Sequence, residues 1–581
     1  MAKNKQSFIE GALVLTLAAV LVKIVGALYR IPLTAAIGED GIGFYSTAYN
    51  FYLTIYSVAV SGFPTAISRI VASYAAEGRY KDVKRVVSVA RVFLLIVGVV
   101  CTAALVLVAR PYVDWVKSPK AYYCVLAVAP SIIFSCLMST HRGYNQGMSN
   151  MTPTAVSQII EVLFKAAGGL AGAYLLKNHF TQEFLASGTV FGTTMANAQE
   201  AEVTILSLAA AGAIFGVSLS TLAGYVFLLL RRLVVGDGIS LEQLRASPEA
   251  HGGGYIFRQL LTIGVPIALS AVAVTLTGLI DNISILNRLA YVIHTDVGAL
   301  YASHGGLLEQ ANKAVEDLPN YLYGVYNIGM PLFNLVPAIT GSFAMSALPH
   351  VTAAWTLADK AKTKLYAESS LRITLLIAAP AGFGIAFLAG PIMRLLYPSR
   401  AVGAALAEPM LTLLGIAAIF VALMQPINAM LQAVGRVDIP VKLMLLGGAI
   451  KLATNYFLVA VPSFNIKAAP LGNLLCYMTI SLIGLSAVRR ITGISLDLAG
   501  VMGKPLFAGL LTGSFGLLAY NVLRTYARTG ERISTVGGIA VGAAVYLIAI
   551  GVMQAVEPDD LLELPGGKKI VGLLEKLHII R

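Results

Sequence analysis

Long apolar stretches alternate with short polar segments along the whole 581-residue chain. A helix needs about 20 apolar residues to cross a hydrocarbon layer about 30 Å thick, and a barrel would show shorter, alternating segments. The pattern therefore predicts an all-α integral membrane protein with about fourteen transmembrane helices. We expect them in residues 8–30, 44–68, 86–109, 121–142, 154–176, 203–230, 257–280, 321–347, 371–396, 409–434, 439–461, 469–488, 503–523 and 535–556.

The composition agrees with this pattern. Hydrophobic residues make up 57% of the chain and charged residues 12%, and the mean hydropathy is +0.77. These values exclude an ordinary soluble domain. The net charge of +13 would suggest a nucleic-acid partner in a soluble protein. In a membrane protein the cytoplasmic loops are enriched in Lys and Arg, so we expect no nucleic-acid partner.

The distribution of Lys and Arg predicts the orientation. With the N-terminus inside, the inner segments carry about 26 of these residues and the outer ones about 13. We therefore expect both termini to be cytoplasmic. The long polar connection 281–320 should then face outward, and KKIVGLLEKLHII near the C-terminus should form an amphipathic helix on the inner surface.

A weak internal repeat predicts the domain organisation. GALYRIPL followed by FYSTAYNFYLTIY resembles TGLIDNIS followed by YLYGVYNIGMPLF. Two six-helix repeats of the same orientation would form two lobes with a central cavity between them. We expect an N-terminal lobe, a C-terminal lobe, helices 13 and 14, and a cytoplasmic tail, in residues 1–235, 236–495, 496–556 and 557–581 respectively.

The fifth predicted helix carries a polar stripe. Residues three or four positions apart share a helix face, and this spacing joins Thr154, Gln158, Glu161, Lys165, Gly168 and Gly172. A charge at a helix centre costs about 2.5 to 3.5 kcal/mol, so intramembrane charges face a wet cavity or a partner. The stripe indicates a cavity, and the alternative is that Glu161 and Lys165 pair with each other.

Other cations fall in or beside predicted helices. Lys23 and Arg30 lie on one helix face, and Lys451 shares a face with Asn455. Arg69 and Arg142 lie at predicted cytoplasmic helix ends, where the positive-inside tendency explains them, although both would also fit the inner mouth of a cavity. An excess of cations in low dielectric attracts an anion. The candidate substrate-binding residues are Lys23, Arg30, Arg69, Arg142, Gln158, Glu161, Lys165 and Lys451.

Motifs of catalysis are missing from the sequence. It contains no Walker motif, HExxH, GxSxG or dinucleotide fingerprint, and its four cysteines have no CxxC spacing. We therefore predict a protein that is not an enzyme, with no cofactor and no metal site. Glu161, Asp281 and Asn455 are the candidates for binding a coupling cation.

Several longer segments carry a family resemblance. They include KIVGALYRIPLTAAIGEDGIGFYSTAY, GFPTAISRIVASYAAEGR and RGYNQGMSNMTPTAVSQIIE, with GLIDNISILNRL and KLATNYFL in support. Across the whole chain the sequence resembles the polysaccharide-transporter branch of the multidrug/oligosaccharidyl-lipid/polysaccharide (MOP) superfamily, in the stage V sporulation protein B and YtgP group, which is related to MurJ.

The resemblance implies an alternating-access flippase of the bacterial cytoplasmic membrane. Its implied partners are membrane lipids and a lipid-linked cell-wall or polysaccharide precursor of the lipid II type, with helices 13 and 14 forming a groove for the lipid tail. MurJ-like proteins hold the diphosphate with arginines in the segment that matches Lys23 and Arg30. Here a lysine replaces the first arginine, the second is displaced by one position, and Ile31-Pro32 stands where an acidic residue would follow.

Two alternatives remain open at this point. A cation-coupled multidrug exporter of the same superfamily would use buried carboxylates, and efflux of cationic dyes that depends on Glu161 would favour it. A non-transporting scaffold for cell-wall synthases would tolerate neutral residues at Lys23 and Lys165.

Overall fold

The computed structural model describes residues 8–436 and 438–556. Within these ranges the chain is helical apart from turns and one small hairpin, in which Thr189–Val190 pairs with Thr193–Thr194. Twelve helical segments of the described chain are long and apolar enough to span a membrane. The protein is therefore a multi-pass, all-α membrane protein, and this confirms the fold class predicted from hydropathy.

The described chain divides into two compact units. Unit 1 contains the residues up to Ala290 together with Lys313–Gly324. Its helices, the last of which continues five residues beyond the unit, are α1 Phe8–Ala59, α2 Phe63–Ala76, α3 Tyr80–Trp115, α4 Tyr122–Val128, α5 Ser131–Gly147, α6 Thr152–Ser187, α7 Ala198–Val235, α8 Leu241–Ala246 and α9 Gly253–Thr295, with a short 3-10 turn at Pro119–Ala121.

Unit 2 contains Tyr291–Asn312 and the residues from Val325 onward. Its helices are α10 Val297–Ser303, α11 Leu307–Ala311, α12 Leu318–Thr356 (which begins in unit 1, after a 3-10 turn at Val315–Asp317), α13 Lys360–Phe387, α14 Ala389–Leu396, α15 Ala401–Ala433, α16 Asp438–Leu458, α17 Ala468–Thr492, α18 Lys504–Thr525 and α19 Glu531–Val552, with a 3-10 turn at Asn465–Lys467 and a π turn at Ala499–Gly503.

The first two predicted spans lie on one continuous segment that is broken at Gly38. This glycine has φ 67° and ψ −176°, a left-handed conformation that favours glycine. Arg30 donates a hydrogen bond to Ser46 across the break. In a straight helix these residues would lie about 24 Å apart, so the chain folds back at Gly38 and forms two spans.

The helix count and the loop boundary differ in detail from the sequence prediction. The predicted span 257–280 lies within α9, which is longer than predicted at both ends. The polar connection expected from residue 281 was placed too early, because α9 continues to Thr295 and short helices follow. The polar residues in 281–295 do not end α9, because a helix satisfies backbone hydrogen bonds internally whatever the side chains are.

The lobe boundaries at residues 235 and 495 stay a prediction. The amphipathic tail predicted for 557–581 lies outside the described residues. Within unit 1, α6 packs along α7 and against α1. The fifth predicted helix is α6, and the predicted polar stripe lies on it.

Candidate functional site

Arg30 is held in place by the returning half of α1. Its Nη2 donates to the Ser46 hydroxyl at 2.9 Å, and its guanidinium lies 4.9 Å from the centroid of the Tyr45 ring. A cation over an aromatic face is stabilised by the ring quadrupole. The Gly38 break thus gives Arg30 two partners that a straight helix would place out of reach.

Lys165 of α6 contacts the tyrosines that lie beside Arg30. Its ammonium lies 4.7 Å from the centroid of the Tyr49 ring, and Tyr49 stacks on Tyr45 with the ring centroids 5.8 Å apart. Lys165 and Arg30 lie close enough for their charges to act on each other. Two cations from different helices therefore meet beside a pair of tyrosines.

Arg142 and Glu161 form an ion pair between α5 and α6. Arg142 also donates to the Ser157 hydroxyl, from Nη2 at 2.8 Å and from Nε at 3.1 Å. The Arg142 and Glu161 side chains are only 13% and 22% exposed. Glu161 therefore pairs with Arg142, rather than with Lys165 one turn away on its own helix.

We call Arg30, Lys165, Arg142 and Glu161 the charged cluster. A ladder of tyrosines at positions 45, 49, 52 and 56 runs beside it, with successive ring centroids 5.6 to 5.8 Å apart. Tyr56 lies within electrostatic range of both Arg142 and Glu161. The ladder thus extends from the Arg30 end of the charged cluster to the Glu161 end. Three cations and one carboxylate leave the cluster with an excess of positive charge.

The glycines of the α6 stripe have a packing role. A Cβ on Gly172 would lie 2.4 Å from the backbone oxygen of Gly212, and a Cβ on Gly168 would lie 2.8 Å from the Leu219 side chain. Small residues at such positions let membrane helices approach closely. The stripe therefore divides into a polar part, at Gln158, Glu161 and Lys165, and a part that packs on α7.

Unit 1 also contains three other predicted substrate-binding residues. Lys23 and Arg69 are exposed, on α1 and α2, and Gln158 is half-buried on α6. In the part of the chain that the structure describes, no hydrogen bond or ion pair joins Lys23 or Arg69 to the charged cluster. Their roles in substrate binding stay predictions.

The remaining candidates are buried. Asp281 lies on α9 at 4% exposure. Its neighbour Asn282 accepts a hydrogen bond from Tyr112 at 2.6 Å and donates to Thr47 at 3.1 Å. In unit 2, Lys451 and Asn455 are 2% and 0% exposed on α16. Both pack at Gly472 of α17, where a Cβ would lie 2.8 Å from Asn455 Oδ1 and 3.6 Å from Lys451 Cγ.

Sequence reasoning missed the neutral partners of the charges. Tyr45, Tyr49, Ser46 and Ser157 contact the cations directly. A signal was present, because Ser157 stands one turn before Glu161, and the four tyrosines recur at helical spacing on one face of α1.

Family models match most of the chain in two places. The model of the polysaccharide biosynthesis protein family matches residues 8–355, more than half of the chain, and the MatE model matches 317–457. Stage V sporulation protein B of Bacillus subtilis (strain 168) is 23% identical, over 98% of this chain and 99% of its own. The lipid II flippase MurJ of the same organism is 22% identical, over 93% of this chain and 94% of its own.

Solved structures show the same architecture. An inward closed conformation of the lipid II flippase MurJ matches with a TM-score of 0.59 at 16% identity, covering 93% of this chain and 98% of its own. An inward-facing MATE family multidrug transporter of the MOP superfamily matches with a TM-score of 0.56 at 14% identity, covering 83% and 99%. The chain belongs to the polysaccharide biosynthesis protein family.

Proposed function

We propose that this protein is an alternating-access flippase that moves a lipid-linked cell-wall or polysaccharide precursor from the inner to the outer leaflet. The cargo is an undecaprenyl diphosphate-linked glycan of the lipid II type. The observation that carries the proposal is the meeting of Arg30 and Lys165 beside Tyr45 and Tyr49 in unit 1. The full-length similarity to a lipid II flippase supports it.

A diphosphate fits these groups chemically. It offers several anionic oxygens, and charge-assisted hydrogen bonds from Arg or Lys to phosphate are about twice as strong as neutral ones. Within the described residues no carboxylate lies at ion-pairing distance from Lys165, so its ammonium can bind an anionic ligand. Glu161 is already engaged by Arg142. The residual charge of the cluster therefore favours an anion over a cationic drug.

An apolar cavity in unit 2 offers a place for the lipid tail. It has a volume of about 410 Å³ and lies between α13, α14, α18 and α19. Its lining includes Pro380, Gly384, Ile392, Thr512, Gly542 and Tyr546. Its exposed surface is almost entirely apolar. A polyprenyl chain in such a cavity keeps its contact with hydrocarbon while the head group crosses.

The test is reconstitution in vesicles with labelled lipid-linked precursors of different head groups. Hydrogen bonds to charged groups contribute about 1.5 to 3 kcal/mol each, so Arg30→Ala and Lys165→Ala should each lower the affinity about ten- to a hundredfold. Arg110→Ala is the matched control, because Arg110 is an exposed cation of unit 1 that pairs with Asp114. Export of cationic dyes without precursor movement would contradict the proposal and favour a multidrug exporter.

A further inference from the structure

A second group of cations lies in unit 1, beside the N-terminal third of α3 and near the C-terminal ends of α5 and α7. Arg91 of α3 is exposed, and Arg231 and Arg232 of α7 are half-buried. The charge of Arg91 acts on Arg232, and the Arg232 guanidinium lies 5.6 Å from the centroid of the Tyr144 ring. Arg231 donates to the side-chain oxygen of Asn145 at 3.3 Å. We call Arg91, Arg231 and Arg232 the arginine patch.

The positive charge of this patch is poorly compensated by the surrounding protein. Asp237 is the nearby carboxylate, and its charge acts on Arg232. It is shared, however, because its Oδ2 lies 3.0 Å from the ammonium of Lys84 and its Oδ1 accepts from the Ile239 amide. The C-terminal end of α7 adds only about half of a negative charge. Like charges held together in this way repel each other unless an anion lies between them.

One donor of the patch indicates where that anion binds. Arg232 Nη1 is buried and has no hydrogen-bond partner in residues 8–436 and 438–556. A buried donor without an acceptor costs about 1 to 3 kcal/mol, and more when it is charged. Proteins therefore normally supply an acceptor at such a position. An anionic oxygen of a ligand would satisfy this donor.

Exposed apolar side chains surround the arginine patch, as expected for a site that binds a membrane lipid. Val92 and Ile96 follow Arg91 on α3 and are 58% and 57% exposed, and Leu230 and Leu233 flank Arg231 and Arg232 on α7 at 55% and 73%. Exposed apolar side chains on transmembrane helices contact acyl chains. A soluble anion would leave them without a partner.

We propose that the arginine patch binds the phosphate of an acidic membrane phospholipid. The headgroup lies against Arg91 and Arg232, and its acyl chains follow the exposed surfaces of α3 and α7. Basic pockets between transmembrane helices bind anionic lipid headgroups in this manner. The arginine patch shares no residue with the charged cluster, so the proposal does not depend on the flippase function being correct.

The test measures binding of cardiolipin to the full chain in phosphatidylcholine nanodiscs. Each basic residue near an anionic surface contributes about a fivefold factor in affinity. We expect R91Q and R232Q each to weaken cardiolipin binding by about that factor, and R232K to retain most of it. R110Q is the control, because Arg110 lies on the same helix about 28 Å from Arg91.

Competition identifies the source of the phosphate. Inorganic phosphate should not displace cardiolipin, because it lacks acyl chains for α3 and α7. If undecaprenyl diphosphate displaces cardiolipin at the patch, it should do so equally well in wild type and in K165A. Tighter binding of undecaprenyl diphosphate than of cardiolipin at the patch would overturn the phospholipid assignment. Equal cardiolipin affinity in wild type, R91Q and R232Q would overturn the site itself, and unchanged thermal unfolding of the variants shows that they are folded.

Discussion

Arg142 and Glu161 face each other between α5 and α6, and Ser157 accepts the remaining donors that Arg142 directs toward α6. The pair joins two helices that otherwise meet over a short interface. Gly224 of α7 allows it, because a Cβ there would lie 3.0 Å from Cγ of Glu161. The ion pair thus links the polar stripe of α6 to α5, while α6 packs on α7 along its length.

The first prediction concerns this ion pair. Glu161→Met should lower the free energy of unfolding by about 3 to 5 kcal/mol, because it leaves the Arg142 guanidinium largely buried without its counterion. The double variant Arg142→Met/Glu161→Met should recover much of that loss, because no charge remains to be compensated. The measurement is unfolding in detergent of both single variants and the double variant. Additive losses would show that the two side chains do not interact.

Tyr49 should position Lys165 through its ring. Tyr49→Phe keeps the aromatic face and should leave precursor affinity within about twofold of wild type, whereas Tyr49→Leu should weaken it about two- to thirtyfold, since a cation over a ring gains about 0.5 to 2 kcal/mol. Binding of a labelled lipid-linked diphosphate measures both. Should the Phe variant lose as much as the Leu variant, the hydroxyl would carry the effect instead of the ring.

The sequence predicts the charges of this site better than their partners. Lys165 and Glu161 stand out because charge is costly inside a membrane. Tyr49 and Ser157 are ordinary residues in a helix, and only the packing of α1, α5 and α6 shows that they contact cations. Hydropathy likewise places the helices, whereas the assignment of Asp281 to a helix and not to a loop depends on backbone continuity through Thr295.

The close approach of α6 and α7 gives a stability prediction. Gly172→Ala should destabilise the protein, because its Cβ would lie 2.4 Å from a backbone oxygen that cannot move without shifting α7. The expected loss is about 1 to 3 kcal/mol. Gly26→Ala is the matched control, since a Cβ at Gly26 meets nothing within 4 Å. That change should raise stability by about 0.5 to 1 kcal/mol. Thermal unfolding of the two variants compares them directly.

The apolar cavity of unit 2 gives a prediction about the lipid tail. Gly384→Leu places a larger side chain in the cavity, where a Cβ at this position meets nothing within 4 Å. The variant should fold normally and should discriminate against long polyprenyl tails more than against short ones. Binding of diphosphates that carry polyprenyl chains of different length measures this. Equal losses for all chain lengths would place the tail elsewhere.

Lys313 provides a prediction about pH. Its ammonium lies 2.8 Å from Asp40 Oδ2, in unit 1. Burial lowers the pKa of Lys313, but the nearby carboxylates, Asp40 first among them, outweigh burial and raise this pKa above its ordinary value of 10.5. A raised pKa in the folded state means that the stabilisation is complete below about pH 10.5 and is lost as the pH rises through the folded value. Lys313→Arg stays charged in this range. The difference in unfolding free energy between wild type and K313R should therefore be constant at neutral pH and should grow in favour of K313R under alkaline conditions. Parallel unfolding curves of the two proteins across the alkaline range would contradict a stabilising role for the Lys313 charge.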